Sequence, residues 1–165
     1  MTHPTLKDIF SLSAEVISIA SERGVTLGTA ESCTGGLIGA AITSISGSSA
    51  VFKGGIIAYD NQVKISHLNV DAMLIENYGA VSEGVAKAMA QGLISALDVD
   101  FAVSVTGVAG PGGGSEEKPI GTVWIGLATR EEVTATRHNF GDTGRNKVRD
   151  VTCFEALKAL KKSIN

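Results

Sequence analysis

Lys64 and the serines at positions 32 and 49 raise the chemical question, because an amine held beside a hydroxyl activates it as a nucleophile without histidine. Ser32 lies in TAESCTGG (29–36), with Glu31, Cys33, Thr34, Gly35 and Gly36 around it. If this segment opens a helix, its free backbone N–H groups face a crevice and attract an anion. Read alone it serves equally well as a strand-to-helix turn, in which Thr34 caps the helix and the glycines permit close packing. Glu31 would repel a phosphate unless paired, so it binds a cation or holds a donor. Cys33, at a helix start, is intrinsically the better nucleophile of the segment.

Ser49 closes GSS (47–49), a turn-like sequence in its own right. Lys64 falls in the first turn of a short helix if Asp60 or Asn61 caps it. The positive end of the helix dipole then lowers its pKa, although taken singly it also fits an ordinary solvated lysine. Thr106 ends an apolar run and begins TGVAGPGGGSEEKP (106–119), whose backbone N–H groups, those of Gly107 and Gly110 included, suit an oxyanion or a phosphate. Arg145, Lys147 and Arg149 in GDTGRNKVRD supply enough charge for one phosphate monoester, or form a solvated first turn. His3, His67 and His138 lie in unrelated segments, and no H-E-x-x-H, Walker A, G-x-S-x-G or G-x-G-x-x-G signature is present.

The elements that must position these residues follow from periodicity. Leu6, Ile9, Leu12, Val16, Ile19 and Ala20 predict an amphipathic helix over 5–23, ended by Gly24. A strand at 25–30 and a helix carrying Leu37, Ile38, Ala41, Ile42 and Ile45 place TAESCTGG at a strand-to-helix junction. A strand over 51–59 is followed by short helices near 61 and over 71–78, then a longer one over 82–97 capped by Ser82. Strands at 101–105, 122–128 and 133–140 and a closing helix from Val148 complete the order. Helices alternating with buried strands, then two consecutive strands, predict a three-layer α/β/α sandwich with a mixed, mostly parallel sheet in one domain over 1–165.

Composition bounds the partners. A net charge of -3 gives no global field for nucleic acid or an anionic membrane. Two isolated cysteines favour free thiols in a reducing cytoplasm, and no leader-like or membrane-spanning run is visible. An open sheet edge suits a homodimer.

Four separated segments, TAESCTGGLIGA, SGSSAVFKGGIIAYDNQVK, GAVS and VTGVAGPGGGSEEKPIGTVWIGLA, together resemble the CinA C-terminal domain family, the PncC-type nicotinamide mononucleotide amidases, over nearly the whole chain. The resemblance implies an α/β/α fold and hydrolysis of the carboxamide of nicotinamide mononucleotide in pyridine nucleotide salvage, with no metal or other cofactor. It also implies a serine and lysine chemistry without histidine, carried on Ser32, Ser49, Tyr59, Lys64 and Thr106. Within that set Ser49 is read as the nucleophile activated by Lys64, with Ser32 relaying a proton or holding the amide, and the reverse assignment left open. Tyr59 orients Lys64 or stacks on the pyridine ring. Thr34, Gly35, Gly36, Gly107 and Gly110 are read as substrate-binding, Arg145 or Arg149 as the phosphate ligand, and Cys33 as a bystander. Many members carry this unit behind a larger domain resembling molybdopterin-binding proteins, whereas this chain starts at the first helix.

Overall fold

A computed structural model describes residues 3–165. The first helix, α1 (Leu6–Arg23), begins with a capping box: the Asp8 amide donates to Thr5 Oγ1 and the Thr5 amide to Asp8 Oδ2. It ends at Gly24, whose left-handed φ of 64° returns its N–H to the carbonyls of Ala20 and Ser21. Ile9, Leu12, Val16 and Ala20 form the buried stripe together with Ile17, while Leu6, expected on that stripe, is exposed in the first turn.

Five strands follow the order β2-β1-β3-β4-β5, built from β1 (Leu27–Glu31), β2 (Phe52–Ile57), β3 (Phe101–Gly107), β4 (Thr122–Ala128) and β5 (Val133–Asn139). β2, β1 and β3 are parallel, β4 runs antiparallel to β3, and β5 turns back antiparallel to β4. Four of the five strands therefore point the same way, as a mixed, mostly parallel sheet requires. Lys53 is skipped where Leu27 faces Phe52 and Gly28 faces Gly54, so the GG segment does carry an irregularity in β2.

Two apolar layers enclose the sheet. On one face α1, α2 (Leu37–Thr43) and α6 (Arg145–Ile164) pack over Leu27, Val103, Val105, Val123 and Ile125. On the other, α5 (Glu83–Leu97) covers Ala30, Ala102 and Ala128, with α3 (Asn61–Leu68) and α4 (Ala72–Tyr78) against it. At the α3–α5 crossing a Cβ on Gly92 would stand 1.8 Å from the Leu68 carbonyl oxygen, so only glycine lets α3 come so close. That contact sets the position of the helix bearing Lys64.

The connections decide where a ligand can go. β1 leads through α2 on one face to β2, and β2 leads through α3, α4 and α5 on the opposite face to β3, on the other side of β1. The chain thus changes direction beside β1, which opens a crevice at the carboxyl ends of the three parallel strands.

Candidate active site

A cavity of about 210 Å³ occupies that crevice. Ser32 and Cys33 enter it from the end of β1, Tyr59, Asn61 and Lys64 from the end of β2 and the start of α3, and Thr106, Gly107 and Ala109 from the end of β3. Ala80 and Val81, just before α5, and Arg145, at the start of α6, complete the wall. Two wider clefts, about 730 and 780 Å³, lie along α1 and α6 and over β5, and draw on none of these residues.

Glu31 explains why the TAESCTGG turn is not a free anion cradle. Its carboxylate is 1% exposed and accepts four hydrogen bonds: from Thr34 Oγ1 at 2.7 Å, Gly36 N at 3.1 Å, Ile38 N at 3.0 Å and Gly39 N at 2.7 Å. The donors at the start of α2 are thereby taken by a carboxylate from the same chain. Of the two roles open to Glu31, holding a donor is the one the structure displays. Gly35 donates to the Ser32 carbonyl, and Gly36 has a left-handed φ of 96° that a side chain would strain. Thr34, Gly35 and Gly36 shape the turn that aims Ser32, and none of them lines the cavity.

Lys64 is 1% exposed, and its Nζ donates to the carbonyl oxygens of Ala58 at 2.8 Å and Tyr59 at 3.2 Å. Burial lowers its pKa from the ordinary lysine value, and nearby Asp60, then Cys33, oppose that shift. Asp60 caps α3 by accepting from Gln62 N at 2.7 Å, so the helix starts as expected. Desolvation is the leading cause of the perturbation. A neutral Lys64 that donates two N–H groups to these carbonyls keeps one lone pair, the arrangement a general base needs. Cys33 shares the cavity, but burial pushes its thiol up to about 12, so it stays protonated and inert at neutral pH.

Thr106, 1% exposed, donates to the Ala80 carbonyl at 2.8 Å and ties the segment before α5 to β3. Arg145 spans the mouth, donating to Tyr59 Oη and to the Gly110 carbonyl, each at 2.9 Å. Gly110 therefore contributes by holding Arg145, while Gly107 lines the cavity directly. Arg149 is spent on the Thr34 carbonyl, with Nη2 at 2.8 Å, and does not reach the wall. Ser49 stands apart: it is exposed in a short 3-10 turn (Ser48–Ala50) before the amino end of β2. The whole of β2, about 20 Å for six residues, separates that end from the cavity. Sequence reasoning passed over Ala80, Val81 and Ala109, which carry no reactive group, and took Asn61 only as a cap. Its spacing of three from Lys64 was the available signal.

Residues 9–164 match the CinA C-terminal domain. A CinA-like protein of Synechococcus sp. (strain CC9902) is 49% identical over 156 residues, 94% of this chain and 37% of that protein. The chain thus spans little more than a third of the length of the curated relatives it matches. Two solved structures match over nearly their full lengths. One, the competence/damage inducible protein CihA from Agrobacterium tumefaciens, has a TM-score of 0.93 and 41% identity, covering 100% of this chain and 99% of that one. The other, the competence damage-inducible protein A from Klebsiella pneumoniae, has a TM-score of 0.90 and 33% identity, covering 93% and 95%. With this match across almost every described residue, the chain belongs to the CinA C-terminal domain family.

Proposed function

We propose that the protein is a serine–lysine amidohydrolase that converts nicotinamide mononucleotide to nicotinate mononucleotide and ammonia, in pyridine nucleotide salvage. The observation that carries this reading is a buried, carbonyl-anchored Lys64, depressed in pKa, opening onto the same 210 Å³ cavity as Ser32. Neutral Lys64 takes the Ser32 hydroxyl proton as Oγ attacks the carboxamide carbon. The tetrahedral adduct collapses as Lys64 returns the proton to the leaving nitrogen, and ammonia departs. Water then gives a proton to Lys64 and its oxygen to the acyl ester, which releases the acid and restores Ser32. Ser32 takes the nucleophile's role in preference to Ser49 because it alone of the two shares the cavity with Lys64.

The volume favours a flat ring with its carboxamide rather than a whole nucleotide, so the ribose phosphate lies outward across the mouth. Tyr59, 60% exposed, offers a face for the pyridinium ring, and Arg145 exchanges its neutral acceptors for phosphate oxygens. No cofactor, nucleic acid or membrane enters the scheme, whose setting is the cytoplasm. Among the described residues no helix is long and apolar enough to cross a membrane. A homodimer is the proposed assembly.

Ammonia release tests the reading. The wild-type protein is expected to release one equivalent from nicotinamide mononucleotide, and Lys64→Met to release almost none. Binding without release would leave a nucleotide-binding module, and release only from another carboxamide would change the substrate; either result overturns the proposal.

A further inference from the structure

One polar side chain on the cavity wall has no part in the scheme above. Asn61 is the first residue of α3, and the i, i+3 relation sets it on the same helix face as Lys64. Among the described residues its side-chain amide forms no hydrogen bond, and it directly follows Tyr59, whose carbonyl anchors Lys64, and the capping Asp60. Several amides of the glycine-rich turns are already engaged. The amides of Gly36, Ile38 and Gly39 go to Glu31, that of Gly35 to Ser32, and that of Val108 to Thr122. With those amides engaged, a side chain from another element adds a donor for a carbonyl oxygen beside Ser32, alongside the backbone N–H groups of the lining residues Cys33, Gly107 and Ala109.

We propose that Asn61 reads the carboxamide: Nδ2 donates to the substrate carbonyl oxygen while Oδ1 accepts an N–H of the substrate amide. The inference rests on the amidohydrolase reading. A primary amide presents one acceptor and one donor in a fork, and asparagine is its complement. As Ser32 adds, the carbonyl oxygen gains charge and the Nδ2 bond strengthens, which lowers the barrier rather than only binding the ground state. Once ammonia has left, the acid product presents two acceptors, so Oδ1 faces an oxygen and the product is held less well than the substrate.

The test measures kcat and KM for nicotinamide mononucleotide, and inhibition by nicotinate mononucleotide, in the wild type, Asn61→Ala and Asn61→Asp. Asn61 is exposed at a helix start, so both variants are expected to unfold at the wild-type temperature. Both should lose kcat on the order of 100-fold, since each lacks the donor. In Asn61→Ala the ratio of product Ki to substrate KM should fall by roughly 10-fold or more, because nothing then separates amide from acid. Variants within about 3-fold of wild-type kcat would overturn the inference alone. So would a kcat loss in Asn61→Ala with an unchanged Ki to KM ratio, which would mark a group that only positions Lys64. A wild type that releases no ammonia would remove the reaction itself, and with it this role.

Discussion

At the scale of single residues, the pocket is governed by what burial does to two groups that differ in sign. Losing water makes the charged form of each more costly, which lowers the pKa of Lys64 and raises that of Cys33. The same surroundings that ready the amine therefore silence the thiol. The kcat/KM for ammonia release is expected to rise with pH as Lys64 loses its proton, with a midpoint below the ordinary lysine value of about 10.4. Folded Lys64 holds its proton more weakly than unfolded Lys64, so its contribution to stability rises with pH between the lowered value and about 10.4. In urea titrations across the window Lys64→Met should lose that contribution and keep the opposing one of the buried thiols Cys33 and Cys153, which lowers stability above about 8.5. Cys33→Ala should keep activity within a few-fold, as measured by ammonia release. The reactive residue types were legible from the sequence, and resemblance picked out a lysine that the fold buries at the cavity wall. For Glu31 the sequence offered holding a donor as one of two roles but not which donors, because these are the Thr34 hydroxyl and backbone amides up to eight residues later that converge only once α2 forms.

At the scale of elements, several helix starts and stops were among the most legible features, since each rests on a local signal: Gly24, Asp60 and Ser82 all act where chain chemistry places them. Less legible was how an element from elsewhere caps α2, which has no capping side chain of its own. Glu31→Ala would leave the Thr34 hydroxyl and three amides without their partner. A loss of about 3 kcal/mol or more in unfolding free energy is expected, read by urea denaturation. The α3–α5 crossing gives a second prediction. Gly92→Ala puts a methyl group against the Leu68 carbonyl and forces α3 outward, costing about 3 kcal/mol and lowering kcat by shifting Lys64. A variant of unchanged stability and activity would show that α3 does not depend on this contact.

At the scale of the molecule, the sheet order turns a list of residues into a site. With β1 between β2 and β3, the ends of three parallel strands deliver Ser32, Lys64 and Thr106 to one crevice, and the same order strands Ser49 at the other edge. Alternating helices and strands announced the layers, but strand order depends on which face each crossover takes, and no local pattern encodes that. The expectation that Ser49 meets Lys64 came from the family resemblance, and the fold sets β2 between Ser49 and the cavity that Lys64 lines. The rate of ammonia release from nicotinamide mononucleotide by Ser32→Ala, compared with Ser49→Ala under the same conditions, tests the account most directly. A fall of about 1,000-fold or more in Ser32→Ala, with Ser49→Ala within a few-fold of wild type, is the predicted result. The opposite order would contradict it, because Ser49 could then reach the amide only from a second copy of the chain.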